Sequence, residues 1–294
     1  QPEEEEEVEQ EEQQRDEVQR NAFLRHLLNA MLVNRAPDAR TNEELIQSLK
    51  ESHVVTSTRV EEALLTIPRG AFVPKELAGE AYEDAPLRVA TMGFNISAPH
   101  MYAVCLEKLE LKLGMSFLDI GSGCGHMTAL AAYLVGKDGI SHGLDLREDI
   151  VKFAQQNVQA FAESSGIDFS NLRFFVRNCF LPSLHHRTYD RIHVGACCPE
   201  ANLEFLIGLL NPGGIIVTPY GDRLIRVIKE SDGQNKTEKL MAVRYGDLIV
   251  PSEAEVKEAA RAIEKEKANT IFVPDSTYST DFANLCNNSQ FSDV

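Results

Sequence analysis

No apolar run in this chain reaches the ~20 residues that a membrane-spanning helix needs. The glutamate-rich N-terminus is neither a signal peptide nor a transit peptide. Metal-ligand spacing is also missing. The six cysteines (Cys105, Cys124, Cys179, Cys197, Cys198 and Cys286) form no C-x-x-C pair, and no histidine stands at zinc spacing from them. No metal is therefore expected, and reduced thiols in the cytosol or nucleus are the simplest reading, with a cytoplasmic location expected. Positive charge is scarce: 29 Lys and Arg face 45 Asp and Glu, giving a formal net charge of -16. That balance argues against nucleic acid as a partner, because phosphates need a basic patch. Internal repeats are absent, and no membrane partner is expected.

The chain does have 294 residues, of which 43% are hydrophobic, enough for one α/β domain with flanking segments. Its acidity is uneven. Gln1 to Glu17 carries ten acids against one arginine, which reads as a solvated, disordered tail. The chain opens on Gln1 rather than Met, as expected of a fragment or a processed product.

The stretch that organises the rest is Phe117 to Gly125, FLDIGSGCG. An apolar strand runs into a glycine-rich turn, and an alanine-rich helical stretch, Met127 to Val135, follows. Glycines let the backbone turn tightly and let a ligand approach the main chain, and the next helix aims its free N–H groups at the turn. A second apolar strand, Ile140 to Leu144, ends in Asp145, about twenty residues past the last glycine, where an acid accepts from a ribose diol. A plain glycine turn in an ordinary α/β domain is the competing reading, and the position of Asp145 favours a Rossmann-like nucleoside pocket. The third glycine of a dinucleotide fingerprint would fall at His126, so a pyrophosphate has less reason to fit. The pattern D-x-G-x-G-x-G from Asp119 instead resembles the first motif of class I methyltransferases, which bind S-adenosylmethionine.

Along the chain, Val18 to Val33 has helical spacing and Arg35 to Thr41 reads as a linker. Asn42 to Glu51 and Thr58 to Leu65 are helices, the second ended by Ile67-Pro68-Arg69-Gly70. Tyr82 to Ser97 is loop-rich. Pro99 suits the first turn of a helix, with apolar spacing from Met101 to Leu111. Asp149 to Phe161 is a helix, and Leu172 to Arg177 and Tyr189 to Ala196 are strands. Ala201 to Leu210 is a helix stopped by Asn211-Pro212-Gly213-Gly214, and Ile215 to Thr218 is a strand. Strands alternating with helices imply a parallel sheet covered on both faces. Arg223 to Lys229 and Lys239 to Tyr245, joined by a polar turn at Ser231 to Lys236, predict an antiparallel edge. Ser252 to Glu255 reads as a capping box opening a charged helix to about Lys267. A polar stretch closes the chain.

At Ile96-Ser-Ala-Pro-His-Met101 the chain resembles the protein-L-isoaspartate O-methyltransferases. Glu44-Leu-Ile-Gln-Ser-Leu-Lys, Tyr82-Glu-Asp-Ala-Pro, the glycine turn, Tyr189-Asp-Arg-Ile-His-Val-Gly-Ala and Leu210-Asn-Pro-Gly-Gly agree with the family in order and spacing, over roughly Asn42 to Val256. The resemblance implies a Rossmann-like class I methyltransferase fold of the α/β class. It would have a mostly parallel central sheet, helices on both faces and an antiparallel C-terminal edge. The implied reaction transfers a methyl group from S-adenosylmethionine to the α-carboxylate of an L-isoaspartyl residue in a damaged protein. The ester then closes to a succinimide, whose hydrolysis partly restores aspartate. The implied organisation is a tail at 1–17, a helix and linker at 18–41, the methyltransferase-like domain at 42–256 and a charged helix and linker at 257–280. At 281–294, Phe282 to Val294 resembles the opening of a BTB/POZ domain, through which protein partners would be reached.

By the same resemblance Ser97 orients the substrate carboxylate and is the catalytic candidate. Ser97 also precedes Ala98-Pro99, where a helix N-cap would stand, and the two roles are compatible. Gly121, Ser122 and Gly123 are implied to line the methionine end of the cofactor, Asp145 to take the ribose and Leu146 to lie near the adenine. Asn178 would accept from the adenine amino group. Phe94, Asn95, Ile96, Ser97, Tyr102, Asp119 and Cys179 complete the implied cofactor set. The carboxylate is already ionised at neutral pH, so no general base is required, and catalysis rests on alignment and exclusion of water. Three departures stand out. Asn178-Cys179 replaces the family's Asp-Gly and resembles a divergent branch of isoaspartate methyltransferase domain-containing proteins. Tyr102 replaces a second histidine. Val250-Pro251 runs on into the charged helix. They keep a second function open, a weak or inactive module that recognises cofactor or isoaspartyl peptides within a scaffold. Of the remaining histidines, His185 and His186 read as solvated, and His193 as structural.

Overall fold

A computed structural model describes residues 39–181, 187–230 and 233–270. The expectations for the acidic tail, the Val18 to Val33 helix, His185, His186, Ser231 and the BTB/POZ-like opening lie outside the described residues. The chain divides into two compact units, Gln1–Phe180 with Arg187–Val250, and Leu181–His186 with Pro251–Val294.

In the first unit, helix α1 (Asn42–Glu51) opens on Thr41, whose hydroxyl accepts from the Glu44 N–H at 3.2 Å, and it buries Leu45, Ile46 and Leu49. Helix α2 (Thr58–Thr66) buries Val60, Ala63 and Leu64. The loop-rich stretch holds a small antiparallel hairpin, β1 (Leu87–Val89) and β2 (Phe94–Ile96). With three residues per strand, it is too short for an alternating pattern to declare it in the sequence. Helix α3 (Pro99–Leu109) follows, with Pro99 in its first turn.

The main sheet has seven strands: β3 (Ser116–Ile120), β4 (Ile140–Asp145), β5 (Leu172–Val176), β6 (Tyr189–Val194), β7 (Leu210–Tyr220), β8 (Arg223–Lys229) and β9 (Asn235–Ala242). Their order is β5-β4-β3-β6-β7-β8-β9. The pairs from β5 to β7 are parallel, and β7–β8 and β8–β9 are antiparallel. Helices α4 (His126–Val135) and α5 (Glu148–Ser165) connect β3 to β4 and β4 to β5, and α6 (Leu203–Gly208) connects β6 to β7.

Alternation along the strands feeds two cores. Phe117, Ile215 and Val217 join one with residues of α1 to α5; Leu118, Ile120, Ile192 and Ile216 join the other with Leu206 and Ile207 of α6. Strand order reverses between β3 and β6. In open α/β sheets that reversal opens a crevice beyond the carboxyl ends of the strands.

Three boundaries differ from expectation. The Ala201 to Leu210 helix shortens to a 3-10 turn at Glu200–Asn202 and α6, because Leu210 is drawn into the sheet opposite Tyr189. The predicted stop at Asn211 to Gly214 therefore sits inside β7, where pairing with β6 is irregular. Strand β9 begins at Asn235 rather than Lys239 and ends at Ala242, because pairing of Asn235 with Lys229 sets its register. In the second unit, Ser252 and Glu255 form the expected capping box at the start of α7 (Glu253–Thr270): Ser252 N–H donates to the Glu255 carboxylate at 2.7 Å, and Glu255 N–H donates to Ser252 Oγ at 3.3 Å. No described helix is long and apolar enough to cross a membrane.

Candidate functional site

The glycine turn sits at the mouth of the crevice. Gly121, Gly123 and Gly125 have φ of +80°, +52° and +85°, a region that L side chains avoid. The turn leans on the end of β4: Gly121 and Ser122 N–H donate to the Leu144 carbonyl at 2.8 and 2.9 Å, and Gly123 N–H donates to Asp145 Oδ2 at 3.2 Å. Across the switch point, Gly195 N–H donates to the Ile120 carbonyl at 2.8 Å. A Cβ on Gly195 would lie 2.7 Å from the Gly121 carbonyl oxygen, so the two strand ends meet backbone to backbone. Burial pushes the Asp145 carboxyl above its usual range, against the pull of the N–H groups of Gly123 and Arg147.

Asp119 is fully buried under the turn, accepting from Thr128 Oγ1 at 2.6 Å and bonded to His193 Nδ1 at 2.8 Å. Burial disfavours the charged form of His193, but its hydrogen bonds to Asp119 and Cys105 and their charges outweigh burial and raise it to about 10. Asp119 thus ties the end of β3 to Thr128 of α4 and His193 of β6.

Ser97 lies between β2 and α3. It is not the N-cap of α3; Ala98 holds that place without a side-chain cap, since the helix begins one residue later than the capping reading requires. The Ser97 hydroxyl instead accepts from Tyr245 Oη at 3.2 Å, and its carbonyl accepts from the Arg69 guanidinium. Arg69 is buried and also donates to the Ala85 carbonyl at 3.1 Å, while Asp84 accepts from the His100 N–H at 2.9 Å. These contacts fasten the Tyr82 to Pro86 segment to the start of α3. Neither Arg69 nor Tyr245 carries a local sequence signal: one sits in a helix-stop tetrapeptide, the other trails an edge strand.

The other expected residues divide by exposure. Phe94 is half-buried, with its ring 3.5 Å from where a Cβ on Gly123 would stand, and Asn95 is exposed on the opposite face of β2. Ile96 and Tyr102 are buried, Tyr102 with its ring centroid 5.5 Å from that of His126. Leu146 and Val176, at the tips of β4 and β5, leave apolar side chains 39% and 50% exposed. The Asn178 oxygen accepts from the Phe180 N–H at 3.0 Å and its nitrogen donates to the Ile249 carbonyl at 2.9 Å. Cys179 is half-buried, and burial pushes its thiol up to about 12. Ser122 Oγ is buried with no hydrogen-bond partner.

The sequence profile of the protein-L-isoaspartate(D-aspartate) O-methyltransferase family matches residues 40–253. Protein-L-isoaspartate O-methyltransferase 1 of Arabidopsis thaliana is 38% identical over 211 residues, 69% of this chain and 89% of that protein. The wheat (Triticum aestivum) protein-L-isoaspartate O-methyltransferase is 37% identical over 211 residues, with the same shares of 69% and 89%. Among solved structures, a Plasmodium falciparum protein assigned as a protein-L-isoaspartate O-methyltransferase, in complex with S-adenosyl-L-homocysteine, superposes with a TM-score of 0.63 at 26% identity, covering 72% of this chain and 99% of that one.

Proposed function

The chain belongs to the protein-L-isoaspartate(D-aspartate) O-methyltransferase family, and from that membership we propose how its own residues perform the reaction. It is a methyltransferase that uses S-adenosylmethionine to methylate isoaspartyl residues in damaged proteins. When bound, S-adenosylmethionine supplies a methyl group activated on a sulfonium.

The residues present fit that cofactor. Ser122 Oγ is a buried polar atom left for a ligand to satisfy. Gly121 and Gly123 open the main chain to close approach. Asp145 presents a carboxylate to a ribose diol, and Leu146 and Val176 offer exposed apolar surface to a purine. Phe94 closes the turn from the β2 side. Asn178 keeps one oxygen lone pair beyond the bond to Phe180, enough to accept from an amino group.

Ser97 donates its hydroxyl proton to the isoaspartyl carboxylate and orients it. The carboxylate arrives ionised, so the site needs no base; it needs alignment and the exclusion of water. Isoaspartyl peptides and proteins are the partners. A reducing compartment such as the cytoplasm suits the free thiols of Cys105, Cys124, Cys179, Cys197 and Cys198. Further partners reached through Phe282 to Val294 rest on the sequence of that segment alone. The domain organisation we propose follows the same reading, with the methyltransferase domain at 42–256 and the charged helix after it.

The observation that carries the reading is the glycine turn resting on Leu144 and Asp145 with Ser122 Oγ buried and unpartnered beside them. It is tested by transfer of labelled methyl from S-adenosylmethionine to a synthetic isoaspartyl peptide, with the aspartyl peptide as control. Transfer is expected to the isoaspartyl form alone. Ser97→Ala should lower turnover about a hundredfold while cofactor affinity stays within about twofold. Asp145→Ala should weaken cofactor binding about tenfold or more by calorimetry. A folded, cofactor-saturated protein with no transfer would favour the recognition module instead.

A further inference from the structure

The geometry points to Tyr245 as a positioning residue for Ser97, one that donates to the serine oxygen so that the serine proton is delivered to the substrate carboxylate. This rests on the Ser97 role proposed above.

A serine hydroxyl has one proton and two lone pairs, and an ionised carboxylate can only accept. If Ser97 serves the carboxylate, its proton must point there. Any second hydroxyl in contact must then be the donor. Tyr245 Oη lies 3.2 Å from Ser97 Oγ, the one side-chain partner of that oxygen among the described residues. The resulting chain, Tyr245 O–H to Ser97 O–H to carboxylate, runs head to tail, so each bond polarises the next. Burial pushes the Tyr245 phenol up to about 12, which keeps its proton in place at working pH.

Tyr245 is itself held in place. Before it, Val243 N–H donates to the Asp222 carbonyl at 2.9 Å; after it, the Gly246 carbonyl accepts from Cys197 N–H at 2.7 Å. Arg69 fixes the other end of Ser97 through its carbonyl. The serine is thus set at its backbone by one segment and at its hydroxyl by another, 148 residues further along the chain. No proton moves in this arrangement; the gain is one rotamer and one hydrogen-bond direction chosen before substrate arrives.

The test uses the full chain, S-adenosylmethionine and a synthetic isoaspartyl peptide, with Tyr245→Phe, Ser97→Ala and the double variant. Tyr245→Phe should lower kcat about tenfold, the size of one ordinary hydrogen bond, with cofactor affinity and thermal midpoint unchanged. The double variant should be no slower than Ser97→Ala alone, because Tyr245 acts only through that oxygen. A wild-type rate for Tyr245→Phe beside a slow Ser97→Ala overturns the role of Tyr245 and leaves that of Ser97 standing. Single effects that multiply in the double variant overturn it too, by giving Tyr245 a separate contact. A wild-type rate for Ser97→Ala removes the Ser97 role and this inference with it. Should the phenylalanine variant not fold, a fluorotyrosine at 245 fills the same space. Because it acts only through the Ser97 oxygen, any change the fluorine makes in kcat should vanish beside Ser97→Ala, and a change that persists there overturns the proposal.

Discussion

Gly195 shows how little room a residue has where β3 and β6 part. Its missing side chain is what lets the Gly121 carbonyl come within 2.7 Å of the place a Cβ would take, and that neighbour is backbone, which cannot rotate away. Gly195→Ala should therefore spread the two strand ends. It should cost about 1–3 kcal/mol of stability and weaken S-adenosylmethionine binding about tenfold. Gly208→Ala is the control: a Cβ there meets nothing within 4 Å, so its affinity should match the parent and its melting temperature should not fall. Calorimetric titration of both variants decides the matter, and equal affinities would show that the crevice tolerates the added methyl. The glycines of the turn and Asp145 were readable because their chemistry is local: a strand, a turn, a helix start and an acid at fixed spacing. Gly195, Arg69 and Tyr245 were not, because each acquires its meaning from a neighbour that only the sheet topology brings close.

Elements have two ends, and in this sheet they do different work. At the amino ends of β3, β6 and β7, opposite the crevice, Asp190 accepts from Ser116 N–H and Oγ at 2.8 Å each and from Asn211 Nδ2 at 2.8 Å. One carboxylate thus ties three strand starts, at the place where the β6–β7 register is irregular. Those bonds hold its carboxyl below the usual range even though partial burial pushes the other way. Asp190→Ala leaves the Ser116 N–H without its acceptor and should cost about 2–3 kcal/mol. That corresponds to a melting temperature lower by several degrees. Turnover per folded molecule should stay at the parent value, since the crevice lies at the other end of the same strands. A loss of kcat without a loss of stability would contradict that division. Helix α1 and the capping box of α7 could be read from their own residues. The β1–β2 hairpin and the span of β9 could not, since the first is too short to show a period and the second takes its limits from β8.

On the scale of the whole molecule, the shifted histidines make stability depend on pH. His126 and His142 are both pulled down to about 4, first by burial and then by nearby cations, Arg69 for His126 and Arg187 and Arg173 for His142. A histidine whose folded pKa lies below its unfolded value near 6.5 contributes stability above that value and loses it as pH falls through the folded pKa. His193 has the opposite sign. Raised to about 10 by Asp119 and Cys105 in spite of its burial, it contributes fully below about 6.5 and loses that contribution as pH climbs toward 10. Thermal stability should therefore peak near pH 6.5 and fall on both sides, with each limb owned by different residues. His126 is wholly buried between the rings of Phe72 and Tyr102, with Nε2 on the Ile67 carbonyl at 2.9 Å and Nδ1 unpartnered, so the Ile67 carbonyl offsets only part of the burial penalty on its charged form. Its share of the acid limb is of the order of 3 kcal/mol, from a shift of 6.5 to about 4. His126→Leu should flatten the acid limb and leave the alkaline one. His193→Gln should lower stability throughout and flatten the alkaline limb, because the imidazolium that rewards Asp119 is gone. Melting temperatures of the two variants from pH 4 to pH 10 test this, and an alkaline limb unchanged in His193→Gln would mean that the pair under the glycine turn is not charged.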